Sequence, residues 1–205
     1  MAGELSKQHL LQSHVKRLAN NIARVHGMVS IYQKVEQSND DVTDILRSAV
    51  VFLHASLEDF LRSLASMYLP SADADVFEAI PLVGMRRPGK FTLKQVAEHR
   101  GKSVDGLIQE SVIAHLERSN FNNTSEINTL LKNLGLNPAN LDEQVTELGR
   151  MMSRRHEIVH RADILHASEA LNELDQDTVN TWMDAVIAFR DGVLFQIEQK
   201  EVVDE

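Results

Sequence analysis

The chain has 205 residues, 30 acidic against 21 basic, a formal net charge of −9, and no cysteine. The missing cysteines exclude disulfides, thiolate nucleophiles, iron–sulfur clusters and cysteine zinc sites together. The acidity argues against a protein that coats nucleic acid by bulk charge. An aromatic content of 5% with only 9 Gly and 4 Pro disfavours a turn-rich sandwich or barrel.

Apolar spacing points to helices nearly everywhere. From Leu5 to Glu36, Leu11, Val15, Leu18, Ile22, Val25, Val29 and Tyr32 recur every three or four positions, which predicts one buried stripe. Gln37-Ser38-Asn39-Asp40 supplies turn and cap residues. Asp41 to Tyr68 repeats the pattern with Ile45, Ala49, Phe52, Leu53, Leu57, Phe60, Leu61 and Leu64, and it stops at Pro70. Two long helices joined by a short loop predict an antiparallel pair.

Three of the four prolines fall between 70 and 102, so that stretch reads as loop with one short helix, Thr92 to His99, capped by Thr92. Ser103 is expected to cap a helix that buries Leu107, Val112, Ile113 and Leu116. Ser119 to Asn123 forms a loop, and Ser125 to Leu134 a helix closed by Gly135. Asn140 or Asp142 opens a helix through Val145, Leu148, Met151 and Met152 toward His160. Asp175 or Asp177 opens the last, with Val179, Trp182, Met183, Val186, Phe189, Val193 and Ile197 as its apolar stripe. The expected domain is a single all-α unit over 1–205, with core helices at about 5–68 and 140–198 and a loop-rich helical insertion at 70–138. No apolar run approaches the roughly 20 residues of a membrane span, so no membrane partner is expected and a cytoplasmic protein is the reading.

Charge is uneven along the chain. Residues 1–100 hold 12 basic and 11 acidic side chains; residues 101–205 hold 9 and 19. Inside that acidic half lies a basic knot of Arg150, Arg154, Arg155, His156, His160 and Arg161. A solvated helix face is the plain explanation of such a run. Two sharper readings compete for the same residues. His156-Glu157-Ile158-Val159-His160 fits the zinc-protease pattern His-Glu-x-x-His, which needs a third ligand such as Glu169, Glu173 or Asp184. Its flanking Arg155 and Arg161 oppose a divalent ion.

The second reading uses Arg155 and His160. Arg155-His156-Glu157-Ile158-Val159-His160 matches an Arg, four residues, His signature with a polar residue directly after the Arg. In this the sequence resembles the HEPN superfamily of helical proteins, many of them metal-independent ribonucleases. Val51 to Arg62 and Arg154 to Asp163 are similar to its RiboL-PSP-HEPN and MAE-like branch, over about residues 10–68 and 140–198. The resemblance implies an antiparallel helical bundle and a homodimer with a composite active site. It implies an RNA substrate, no metal or other cofactor, and a toxin or antiviral setting with an antitoxin or regulatory protein as partner. Arg155, His160 and His156 then carry catalysis; Arg154, Arg161 and Glu157 contact substrate; Glu58 and His54 support them. A Tyr two positions after the motif His is modified in one HEPN group; Ala162 stands there, so that control is not expected.

The chemistry is coherent on its own terms. RNA carries its nucleophile, the 2′-hydroxyl, and needs a group that exchanges protons near neutral pH and a cation for the charge on phosphorus. Histidine and arginine supply these. Arg155 and His160 stand about 140° apart around an ideal helix. Arg155 must therefore reach around, the helix must end or distort near His160, or a second subunit must complete the site. A catalytically inactive helical module that binds RNA or protein is the alternative. Thr92 to Arg118, after a strand at Leu82 to Arg87, also slightly resembles the ribbon–helix–helix DNA binders, and Arg86, Arg87 and Lys90 are candidates to extend an RNA groove. The remaining histidines, His166 among them, join no cluster.

Overall fold

The computed structural model describes residues 2–35, 42–165 and 169–204. The turn expected at Gln37–Asp40, the start at Asp41, and His166 lie outside these. Seven α-helices form among the described residues: α1 (Ala2–Val35), α2 (Thr43–Tyr68), α3 (Leu93–Ala97), α4 (Val104–Leu116), α5 (Thr124–Asn133), α6 (Asp142–Arg161) and α7 (Gln176–Asp204). Short 3₁₀ turns occupy Leu69–Ser71, Ala74–Ala79 and Pro138–Leu141. No strand forms among the described residues; an isolated antiparallel bridge joins Ile164 to Leu171.

The first two helices run antiparallel. Lys7 sits over the Tyr68 ring, Arg17 pairs with Asp59 at 2.7 Å, and Arg24 sits over Phe52. Ascending positions on α1 thus meet descending ones on α2. The α1 stripe from Leu18 to Tyr32 is buried as its spacing predicts. Helix α2 is the centre of the molecule: it packs on α1, α4, α6 and α7. That is why its buried face is so broad, taking in Leu46, Val50, Leu53, Leu57, Phe60, Leu61 and Leu64. Helix α7 buries Val179, Trp182, Met183, Val186, Phe189, Val193 and Ile197, and packs chiefly on α6.

Local chemistry explains the helix starts. Thr92 and Gln95 form a reciprocal capping box on α3. The Ser103 and Asn123 side chains accept from the Gly106 and Glu126 amides at the heads of α4 and α5. Asp175 accepts from the Thr178 amide at 2.7 Å ahead of α7. Gly135, at φ +72°, closes α5 in the left-handed region that glycine enters freely.

Residues 70–138, expected as a loop-rich helical insertion, pack on the bundle, α4 on α2 and α5 on α6. Their Val112, Leu116, Phe121, Ile127, Leu130 and Leu131 join the same buried core. Only the loop-rich part around Leu82–Ser103 stays outside it, where every residue is at least partly exposed. Ile113 is exposed, not buried, and Leu107 is half-buried. The ribbon–helix–helix likeness fails as well. Leu82–Arg87 forms turns in place of a strand, and α3 is five residues long, too short for a bihelical reader.

Candidate active site

Helix α6 carries the basic knot. Val145, Leu148, Met151 and Met152 face the core, so the polar positions between them are turned outward or along the seam with α2. Acidic Asp142 and Glu143 open it; His160 and Arg161 fill its last turn, each on the side favoured by the helix dipole. The helix is regular to Arg161. It ends in two consecutive left-handed residues, Ala162 at φ +49° and Asp163 at φ +61°. Neither is glycine, so the turn is strained by about 1–3 kcal/mol per residue and persists only because its surroundings hold it.

What holds it is Asp163. Its side chain is fully buried. Its Oδ2 accepts from Arg47 Nε at 2.7 Å and from Arg154 Nη2 at 2.9 Å, and its Oδ1 accepts from Asn172 Nδ2 at 3.2 Å. Its backbone N–H donates to the Glu157 carbonyl and its own carbonyl accepts from the Asn172 amide. Both arginines also donate to the Asn172 carbonyl, and Arg154 reaches the Glu173 carbonyl at 2.9 Å. Arg154, expected at the substrate, is therefore committed to the interior. Two arginines on one carboxylate compensate its buried charge, and of their guanidinium nitrogens only the Arg154 Nε is buried without a partner among the described residues.

Arg155, the next residue, is different. Like Arg154 it is half-buried with an Nε that has no hydrogen-bond partner among the described residues, but no carboxylate among them pairs with it. Its charge reaches His54 on α2, which is buried and donates from Nε2 to the Phe121 carbonyl at 3.3 Å. Burial, reinforced by Arg155, pushes the His54 pKa below the ordinary histidine value; Glu58 and the Phe121 bond pull it back only in part. His54 thus stays neutral and adds no second cation beside Arg155. Glu58 pairs with Arg62 at 2.7 Å, and Arg62 also bonds the Leu116 and Ser119 carbonyls.

The two remaining histidines lie outside. His156 and His160 are exposed and stack one turn apart, ring centroids 4.5 Å from each other. Glu157 pairs with Arg161 at 3.1 Å. The zinc-protease arrangement is not assembled. Among the described residues no third His, Asp or Glu joins the pair, and the Glu that would activate water is held by a guanidinium. A groove of about 1100 Å³ begins at His156 and Glu157 and runs up α6 past Ser153, Arg150 and Thr146, with Asn123 and Thr124 of the α5 head on its far wall. The structure thus separates the knot into one interior arginine, Arg154, a seam arginine, Arg155, two outer arginines, Arg150 and Arg161, each paired with a glutamate, and an exposed histidine pair.

A protein-family comparison matches the RiboL-PSP-HEPN description over residues 16–191. The chain belongs to the RiboL-PSP-HEPN family. HEPN domains are helical bundles that bind RNA, often dimerise and are often ribonucleases. The matched span includes α4 and α5, in keeping with their place in this HEPN domain's core. Comparison with curated proteins and with solved structures found no match. No helix among the described residues is long and apolar enough to cross a membrane.

The sequence reading did not single out Arg47, Asn172 or the clamping role of Asp163. A signal existed on α2. Arg47, His54 and Glu58 lie at i, i+7 and i+11, a polar stripe inside an otherwise apolar helix face. A buried cation at Arg47 requires a partner anion, and Asp163 is that partner.

Proposed function

We propose that this HEPN domain is a metal-independent endoribonuclease whose site is built from Arg155, His160 and His156 of two protomers. The observation that carries the reading is the division of labour along α6. Arg154 is paired with Asp163, while Arg155 has no acidic partner among the described residues, and an exposed histidine pair, His156 and His160, follows on the same helix. Arg155 binds the scissile phosphate and neutralises charge in the transition state. A histidine takes the 2′-hydroxyl proton as the O2′–P bond forms, and a protonated histidine gives a proton to O5′ as the P–O5′ bond breaks. The products are a 2′,3′-cyclic phosphate and a 5′-hydroxyl end, with no water consumed. His54 and Glu58 keep the seam around Arg155 in order; Arg161 and Glu157 flank the strand at the groove mouth.

Geometry supports the two-protomer form. Helix α6 is regular through His160, so the 140° offset between Arg155 and His160 is not relieved by a distortion. A second copy related by a two-fold axis brings the partner's set to the same cleft. An apolar groove of about 860 Å³ beside the end of α6, lined by Met28, Val51, Phe52, Ile158, Ile164 and Leu171, offers that copy a seat. A cytoplasmic toxin or antiviral effector, restrained by an antitoxin or regulator, is the biological setting we infer from the family.

The test is the chemistry of the ends. Labelled RNA incubated with the protein in EDTA should yield cyclic-phosphate and 5′-hydroxyl termini. Binding without any cleavage would favour a catalytically inactive HEPN module, the reading for which the separation of Arg155 and His160 within one protomer speaks. Activity abolished by EDTA and restored by zinc would overturn the mechanism.

A further inference from the structure

A second surface, sharing no lining residue with the groove along α6, is the loop-rich stretch between the 3₁₀ turn at Ala74–Ala79 and α4. Residues 86–102 hold six basic side chains and one acidic one, whereas the rest of the chain holds fifteen and twenty-nine. Arg86, Arg87, Lys90, Lys94 and Arg100 are all exposed; among the described residues Lys102 alone of the six forms an ion pair, with Glu110 at 2.5 Å. The same stretch exposes large apolar side chains. Leu93 is 87% exposed, Val104 74% and Phe91 54%. Phe91 and Val104 stand at a small cavity of about 290 Å³ whose other walls are Phe77, Ile80, Leu82, Leu107, Ile108 and Ser111. An exposed apolar patch carried by a predominantly basic stretch, with Glu78, Glu98 and Asp105 among the exposed acids nearby in sequence, is the mark of an interaction surface.

We infer that this surface docks an acidic, amphipathic peptide segment of a protein partner. Charge complementarity selects an acidic occupant, since the stretch that carries Phe91 and Leu93 also carries five exposed cations with no ion pair among the described residues. Its apolar chemistry selects a peptide over RNA. Apart from Phe91 the exposed apolar groups are aliphatic and offer no stacking platform, and the cavity is almost wholly apolar with room for one or two bulky side chains. The occupant places a leucine- or phenylalanine-sized anchor in the cavity and carboxylates against Arg87, Lys90 and Lys94. The inference is independent of the ribonuclease reading and survives its failure.

The experiment selects a random-peptide phage library on the full chain. Enriched peptides should carry net negative charge around at least one Leu, Ile, Phe or Trp. The synthetic consensus peptide should lose about tenfold or more in affinity on R87E/K90E/K94E and on F91S/L93S, with circular dichroism unchanged because all five positions are exposed. Enrichment of neutral or basic peptides, no enrichment, or affinity indifferent to both variants overturns it. So does a single-stranded oligouridylate that binds the wild type and is lost on the same charge reversal, which assigns the surface to RNA. An oligomer that F91S/L93S converts to monomer in light scattering also overturns it, since the patch is then covered by a second copy.

Discussion

Arg154 and Asp163 are nine residues apart and joined by a 2.9 Å ion pair with the carboxylate fully buried, and that bond fastens the end of α6 to the rest of the molecule. Through Arg47 at 2.7 Å the same carboxylate ties α6 to α2. The clamp lies beside both motif residues: Arg154 precedes Arg155, and Asp163 follows His160 by three positions. It sets the rotation of α6 on α2 and holds the strained turn at Ala162.

Removing Asp163 strands two buried arginines, so Asp163→Ala should lower folding stability by about 3–5 kcal/mol. Urea unfolding followed by circular dichroism checks this. A loss below about 1 kcal/mol would mean the clamp contributes no more than a surface pair.

His54 should titrate below an ordinary histidine, and its titration should respond to Arg155. In Arg155→Ala its pKa should rise, because one of the two causes that depress it is gone; in Glu58→Gln it should fall further. NMR titration of the imidazole reads both. The sign for stability follows. The folded pKa lies below the unfolded one, so the unfolded chain binds the proton more readily. The His54 contribution is therefore whole above the ordinary value of 6.5 and is lost as pH falls below it. His54→Gln should flatten stability against pH between about 7 and 5 relative to the wild type.

Much of this architecture is legible in the sequence, and the gaps have physical causes. Periodicity marks the long helices because α1, α2, α6 and α7 each bury a continuous stripe, and caps mark Thr92, Ser103 and Asp175 because a side-chain oxygen there has a backbone donor to satisfy. In the middle segment the prolines and glycines at 81–101 mark the loop, but spacing does not show that α4 and α5 beyond it bury into the core, because their partners on α2 and α6 are distant in sequence. Within the knot, four arginines look alike in sequence. Arg154 is distinguished from Arg155 only by a carboxylate that arrives after a reversal of the chain, and by Arg47, 116 residues away from that carboxylate.

Binding of RNA should depend shallowly on salt. If a single cleft engages two or three phosphates, the logarithm of affinity should fall against the logarithm of salt with a slope of about −1.4 to −2 for single strands. Fluorescence anisotropy with Arg155→Ala should show a smaller slope. A slope several times steeper would point to a broad basic track that the acidic chain does not offer.

A composite site makes a mixing experiment decisive about its architecture. Arg155→Ala and His160→Ala, each inactive alone, should regain about a quarter of wild-type activity when mixed and allowed to exchange subunits, because half the dimers then hold one intact set. No recovery, with exchange verified by mass spectrometry, would place each working pair within one protomer.

The most direct measurement of the central claim is the rate of cleavage of a labelled RNA in EDTA by the wild type, Arg155→Ala and His160→Ala, each checked for a native fold by circular dichroism. The account predicts cyclic-phosphate ends from the wild type and a loss of about 10²–10⁴-fold in each variant. Cleavage at wild-type rate by either variant would contradict it.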